Sequence, residues 1–294
     1  MRYEYVDEPA AVPAQPTSET PSHAGQLRRE LSARNLEWAA SQKLPHASST
    51  GRIPAVLYRE DENGRNGNFH PQSWRQLQAH PDWASRLKKT HTSARRILVS
   101  YEPGGSELAS CNSSDALLMN VFCHPGSLAP RSPVRTLMGA EPDATPEFGY
   151  HPRIAMLRNR VDTTEIDMRL GTLLVEAKLT ETDFQTASPH LLERYSHLAE
   201  VFNIDSLPRV GDRYASYQLI RGALAAWQLP EARFGVLCDA RRPDLIAAWY
   251  SVLQAVQPAP LRCRLFLLTW QEVATCCAPS LRKWLAAKYG IIAS

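Results

Sequence analysis

From Arg153 onward, short apolar runs alternate with longer stretches of helical period. The runs at 154–158, 164–170, 172–179, 234–238 and 264–268 are aliphatic and bounded by turn residues, which predicts strands. Spacings of three and four between apolar positions predict helices over 189–202, 212–227, 243–256 and 280–289. Strand–strand–helix–helix–strand–helix–strand is the order of a small mixed sheet with helices packed on it.

The first third of the chain reads differently. Residues 1–25 carry Pro9, Pro13, Pro16 and Pro21 among Ser, Thr and Glu, the composition of a mobile leader. A helix is expected over 26–44, a turn-rich stretch over 45–70, and short helices over 71–79 and 81–89. A short strand at 97–101 and a turn at 102–105 come next. Gly104-Gly105 is a weak phosphate-loop signal, outweighed by a plain turn. Helix 115–123 follows, with Asn112 as its N-cap and Asp115 completing a capping box. His124-Pro125-Gly126 stops it. The expected organisation is a leader (1–25), a basic and mainly helical extension (26–96) and a catalytic-type α/β domain (97–294).

Composition narrows the class. The chain has 294 residues, 44% hydrophobic and 21% charged, enough to bury a core without staples. No apolar run approaches the ~18 residues of a membrane span, and the start lacks a secretory pattern. The cytoplasm is the expected compartment, so the six cysteines read as reduced, mostly buried thiols. Metal donation by Cys123-His124 or Cys276-Cys277 is the minor alternative, since no CxxC pair occurs. The net charge of +3 does not announce a nucleic-acid binder, but it is uneven. Residues 26–100 hold thirteen Lys/Arg against six Asp/Glu. Arg86, Lys88, Lys89, Arg95 and Arg96 lie close to Trp74 and Trp83, which reads equally as a phosphate-contacting surface or a solvated helix face.

The chemistry concentrates in residues 164–178. Two apolar strands meet at a turn containing Gly171, yet carry Glu165, Asp167, Arg169, Glu176 and Lys178. Charges in buried strands need partners or a metal. Strand alternation puts Glu165, Asp167 and Arg169 on one face of the first strand, and Glu176 and Lys178 on one face of the second. A two-residue loop at Leu170-Gly171 pairs Arg169 with Thr172 and makes Asp167 and Glu176 diagonal neighbours on a common side. A three-residue loop would send Asp167 to the opposite face. Two carboxylates and a lysine suit Mg²⁺, with Mn²⁺ as a substitute, and phosphodiester hydrolysis is the reaction class that uses all the parts. The plainer alternative, a buried Glu176–Lys178 salt bridge, leaves Asp167 unexplained.

Asp167 followed by Glu176-Ala177-Lys178 on an apolar strand resembles the PD-(D/E)xK nuclease superfamily, with Ile166 standing in place of the motif's proline. The runs TEIDMRLGTLLVEAKLTETDF and YQLIRGALAAW are similar to those of uncharacterised bacterial restriction endonucleases of that superfamily. The resemblance covers roughly residues 112–268. It implies a restriction-endonuclease-like α/β fold, a mixed central sheet flanked by helices, with the helical N-terminal extension added. It implies Asp167, Glu176 and the Ala177 main-chain carbonyl as metal ligands and Lys178 as the catalytic lysine. Asp115 is available as an assisting acid, with helix capping slightly preferred. Glu165 is either a further ligand or a partner for Arg169.

On the helix expected over 212–227, Tyr214, Tyr217, Gln218 and Arg221 share a face. Related nucleases carry Gln and Tyr there, and Arg221 suits bidentate phosphate contact. Arg241-Arg242 reads as solvated turn residues or, less strongly, as a backbone contact. The expectation is a Mg²⁺-dependent nuclease, with double-stranded DNA as the leading substrate and Tyr217, Gln218, Arg221, Lys88 and Lys89 as contacts. No membrane is expected as a partner, and a homodimer would suit cutting of both strands. The alternatives are an inactive nucleic-acid-binding protein that keeps the fold, and a small-molecule α/β enzyme. The last lacks a Gly-rich loop or nucleophile elbow to support it.

Overall fold

The computed structural model describes residues 22–88 and 107–293. A five-stranded sheet forms its centre. The strands are β1 (Pro146–Tyr150), β2 (Ile166–Leu170), β3 (Leu173–Ala177), β4 (Arg233–Cys238) and β5 (Leu265–Thr269), in the spatial order β5-β4-β3-β2-β1. The β3–β4 and β4–β5 pairs are parallel, while β2 runs antiparallel to both neighbours. The mixed sheet flanked by helices is the architecture expected from the sequence.

The longer helices among the described residues are α1 (His23–Ser41), α2 (Pro71–Ala79), α3 (Ser114–Phe122), α4 (Tyr217–Gln228), α5 (Pro243–Ala255), α6 (Trp270–Cys276) and α7 (Pro279–Tyr289). One sheet face, with Leu174, Phe234 and Val236, packs on α4 and α5 through Leu219, Ala223, Leu245 and Trp249. The other, with Met168, Val175, Ala177 and Leu237, packs on α1, α3, α6 and α7 through Leu31, Leu118, Trp270 and Leu285. Because β3 is covered on both faces, all five of its residues are buried.

Several expectations change. Strand β1 was not anticipated: Pro146, Glu147 and Gly149 interrupt its apolar pattern, and it pairs as an edge strand, where proline is tolerated. Helix 189–202 is two short turns, Pro189–Leu192 and Leu198–Val201. Helix 212–227 begins only at Tyr217, because Ser216 takes a left-handed φ of 58° and breaks the run. Tyr214 therefore lies outside the helix, in a two-residue strand with Arg213. Helix α3 is capped by the Ser113 hydroxyl, which accepts from Ala116 N at 3.1 Å, so Asn112 is not its N-cap. Helix α6 was missed: its seven residues are too few for a helical period to show. The strand expected at 97–101 and the Gly104-Gly105 turn lie outside the described residues. All six cysteines are free, four of them buried, with Cys276 partly exposed and Cys263 exposed.

Helix α1 is fastened to α7 by a buried lysine. Lys288 Nζ donates to Asn35 Oδ1 at 2.8 Å and to Gly67 O at 3.3 Å, over the Tyr58 ring at 3.7 Å. No carboxylate pairs with it among the described residues, and burial pushes its amine well below the usual 10.5. The unfolded chain therefore binds a proton that the folded chain resists, and this group makes wild-type stability rise with pH toward 10.5. Lys288→Met removes this linkage, so the rise in Tm from pH 6 to pH 9.5 that this lysine contributes is expected to be lost in the variant. Thermal melts at the two pH values check this.

Candidate nuclease site

The β2–β3 hairpin builds the site. Its loop is Gly171-Thr172 rather than Leu170-Gly171: Leu170 pairs with Leu173, Arg169 with Leu174 and Met168 with Val175. Gly171 takes a φ of 62°, and a Cβ there would meet the Glu141 carboxylate at 2.0 Å. Glu141 Oε1 accepts from Thr172 N at 3.1 Å and Thr172 Oγ1 at 2.6 Å, which holds the turn. The shift moves each pairing by two residues, so every side chain keeps its face. The pairing ends at Met168↔Val175, and the Asp167 carboxylate beyond it bonds the Ala177 main chain, next to Glu176.

The three residues meet at the carboxyl end of β3. Lys178 Nζ donates to Glu176 Oε1 at 2.5 Å, and both side chains are buried. Gln218 Nε2, from the first turn of α4, donates to the same oxygen at 2.5 Å. Asp167 Oδ2 accepts from Ala177 N at 2.7 Å. Burial, then the Glu176 carboxylate, push the Asp167 carboxyl well above its usual range, against the pull of Lys178. Burial disfavours the Lys178 ammonium, but Glu176, Asp167 and Glu181 outweigh it and hold the lysine protonated.

The main chain around Lys178 is clamped from several elements. Lys178 N donates to Leu237 O at 2.8 Å, and Lys178 O accepts from Trp270 Nε1 at 2.9 Å. Arg242, fully buried, donates to Leu179 O at 3.0 Å and Thr182 O at 3.2 Å, and pairs with Asp244 at 2.8 Å. Arg28 of α1 reaches Thr180 O at 2.8 Å. Arg241 pairs with Asp239 at 2.7 Å and Glu30 at 2.5 Å. Arg241 and Arg242 are thus structural clamps, neither solvated turn residues nor backbone contacts, because buried carboxylates and carbonyls claim their donors.

A second acidic layer was only partly legible. Glu165 does not pair with Arg169, whose Nε donates to Gly171 O at 2.9 Å. Arg86 instead forks onto Glu165 at 2.9 and 3.0 Å and reaches Asp115 Oδ2 at 3.1 Å. Gly149, at a φ of 73°, leaves room for this contact, since a Cβ there would sit 2.2 Å from Arg86 Nη1. Arg86 therefore faces the site and not an outer basic surface. Trp74 and Trp83 are core residues whose indoles donate to Gly64 O and Pro146 O, both at 2.8 Å. Lys88 ends a short 3-10 turn and is exposed, while Lys89, Arg95 and Arg96 lie outside the described residues. Glu181 escaped the sequence reading: it accepts from Leu179 N at 2.6 Å and from the Ser114 hydroxyl, beside Lys178. Its only sequence signal was an acid three positions after Lys178.

Tyr217 and Arg221 lie beyond Gln218 on α4. Tyr195 OH donates to Asp162 Oδ2 at 2.5 Å and meets Tyr217 OH at 2.6 Å. Arg221 Nη2 donates to Glu165 O at 2.8 Å, whereas its buried Nε and Nη1 have no partner among the described residues.

Truncating one member of the Glu176–Lys178 pair leaves the other charge buried. Lys178→Ala is expected to cost about 3–5 kcal/mol, and Glu176→Gln/Lys178→Met to recover most of it. Urea denaturation of the three proteins measures this.

The profile of one family, described as restriction endonuclease associating with ARP, matches residues 39–290. No curated protein and no solved structure matches the chain. The match spans most of the 294 residues, including the hairpin and both clamping arginines. The chain belongs to the family of restriction endonucleases associating with ARP.

Proposed function

We propose that this protein is a divalent-metal-dependent nuclease of the PD-(D/E)xK type, cleaving phosphodiester bonds in double-stranded DNA. The observation that carries the reading is the meeting of Asp167, Glu176 and Lys178 at one strand end in a restriction-endonuclease family member. Among the described residues no three His, Cys, Asp or Glu side chains gather as a ready-made metal cage. Mg²⁺ does not require one, since it commonly takes one or two carboxylates and completes its shell with water and substrate oxygens. The donor set fits. Asp167 and Glu176 are hard oxygen ligands, gathered with Lys178 at one strand end. With the Ala177 carbonyl they would hold Mg²⁺ or Mn²⁺, and Asp115 and Glu165 would stand behind them.

When bound, such an ion polarises the phosphate and acidifies an attacking water. Lys178, beside both carboxylates, would donate to the charge developing on the phosphate or position the attacking water. Gln218 and Lys178 together fix the Glu176 carboxylate, so its free lone pairs are aimed before substrate arrives. Arg221, expected as a phosphate contact, is 2% exposed, so its role in this reading is to hold the Glu165 carbonyl behind the site. A homodimer would place one such site on each strand.

The closed Glu176–Lys178 pair favours a second reading, a nucleic-acid-binding protein that keeps the fold without cutting. Plasmid nicking with Mg²⁺, Mn²⁺ or EDTA separates the two. Metal-dependent nicking is expected, reduced at least ~100-fold in Asp167→Asn and Lys178→Gln, with folding confirmed by circular dichroism. Glu176→Gln is expected to weaken Mn²⁺ binding in calorimetry. Binding without cleavage under every metal would establish the second reading. For the basic segment, Lys88→Glu/Lys89→Glu is expected to lower DNA affinity and flatten its salt dependence. An unchanged slope would remove this segment from the interface.

A further inference from the structure

The link from β1 to β2 enters β2 one residue before Asp167 and carries a small antiparallel ribbon of its own. Ile154–Met156 pairs with Arg160–Asp162, through Ile154↔Asp162, Ala155↔Val161 and Met156↔Arg160. The ribbon is rigidly based. Ile154 and Met156 are buried in the core, Ala155 N donates to Gln228 Oε1 at 2.6 Å, and Leu157 N donates to Arg194 O at 2.7 Å. Asp162, its one carboxylate, turns inward to Tyr195 and to Thr164 N at 2.7 Å.

The outer side is cationic. Arg153, Arg158 and Arg160 are exposed, and Arg194, partly buried, lies alongside, its carbonyl bonded to Leu157 N. None of the four guanidinium groups has a hydrogen-bonded or ion-paired partner among the described residues. Arg86, Arg241 and Arg242, by contrast, are all bound to carboxylates. The tip is tightly turned. Arg158 and Asn159 have φ values of 61° and 55°, and Arg153 at the base has 56°. Consecutive positive φ values are what a tight hairpin turn requires, and they turn the Arg158 side chain into the exposed tip. Leu157 and Val161 are 53% and 41% exposed beside these cations. A two-stranded ribbon fits the ~12 Å major groove of B-form DNA, where cations meet phosphates and aliphatic groups meet thymine methyls.

We propose that the 153–162 ribbon is a duplex-binding arm. It enters a groove of DNA beside the Asp167 end of the sheet, with Arg153, Arg158, Arg160 and Arg194 on the flanking phosphates. The inference rests on the nuclease reading and adds the element that seats the duplex. No base sequence is implied, since the cations address the backbone.

The test is a salt titration from about 50 to 200 mM. It uses the full chain, a ~30-base-pair duplex and EDTA, read by fluorescence anisotropy. The variant Arg153→Asn/Arg158→Asn/Arg160→Gln removes three charges while leaving residues that tolerate the backbone. It is expected to melt no lower than wild type, to bind duplex at least ~10-fold more weakly, and to lose about 0.9 of salt slope per phosphate contact. Lys178→Gln is expected to show the converse: cleavage lost, duplex affinity and slope retained. Unchanged duplex affinity and slope in the ribbon variant, with wild type cutting DNA, overturns the arm and leaves the nuclease reading standing. A loss confined to single-stranded RNA of equal length overturns the duplex assignment. Wild type that neither binds nor cuts any nucleic acid overturns both.

Discussion

Every charged group placed inside the central sheet must be answered by another group, and this constraint organises the molecule. Strand β3 is buried along its whole length yet carries Glu176 and leads directly into Lys178. A lone carboxylate or ammonium there would cost several kcal/mol. The hairpin brings Asp167 across and α4 supplies Gln218. Burial first, and then the Glu176 carboxylate, lifts Asp167, while Glu176, Asp167 and Glu181 outweigh burial and keep Lys178 protonated.

The surrounding chain is arranged to keep this cluster in place. Arg242, Trp270 and Arg28 reach the segment after β3 from three separate elements, binding consecutive carbonyls. Arg86 crosses from the N-terminal segment to hold Glu165 and Asp115. The first third of the chain is thus tied into the site, and Asn35 and Lys288 fasten its helix to the C-terminal one. Arg86, Arg241 and Arg242 are committed to carboxylates. Those around the 153–162 ribbon have no partner among the described residues and are open to an external anion.

The legible part of this architecture followed from local rules. Aliphatic runs marked four of the five sheet strands, and period-3.6 spacing marked α5 and α7, because in these elements burial is decided by immediate sequence. Parity along a strand was enough to place Asp167, Glu176 and Lys178 on one face, and it survived a turn displaced by one residue. Edge strand β1 was hidden because its proline and glycine are allowed only by its position at the sheet margin. The break before α4 was hidden because Ser216 adopts a left-handed backbone that its residue type does not advertise.

The chemistry of the hairpin and the α/β class were therefore written in the chain, since alternation and period are properties of neighbouring residues. The partners of the charges were not. Arg86 stands 79 positions from Glu165, and Arg242 stands 63 from Leu179. Whether an arginine meets water, a phosphate or a buried carboxylate depends on which distant backbone lies beside it. No local pattern records that, because it is settled only when the sheet closes against both layers of helices.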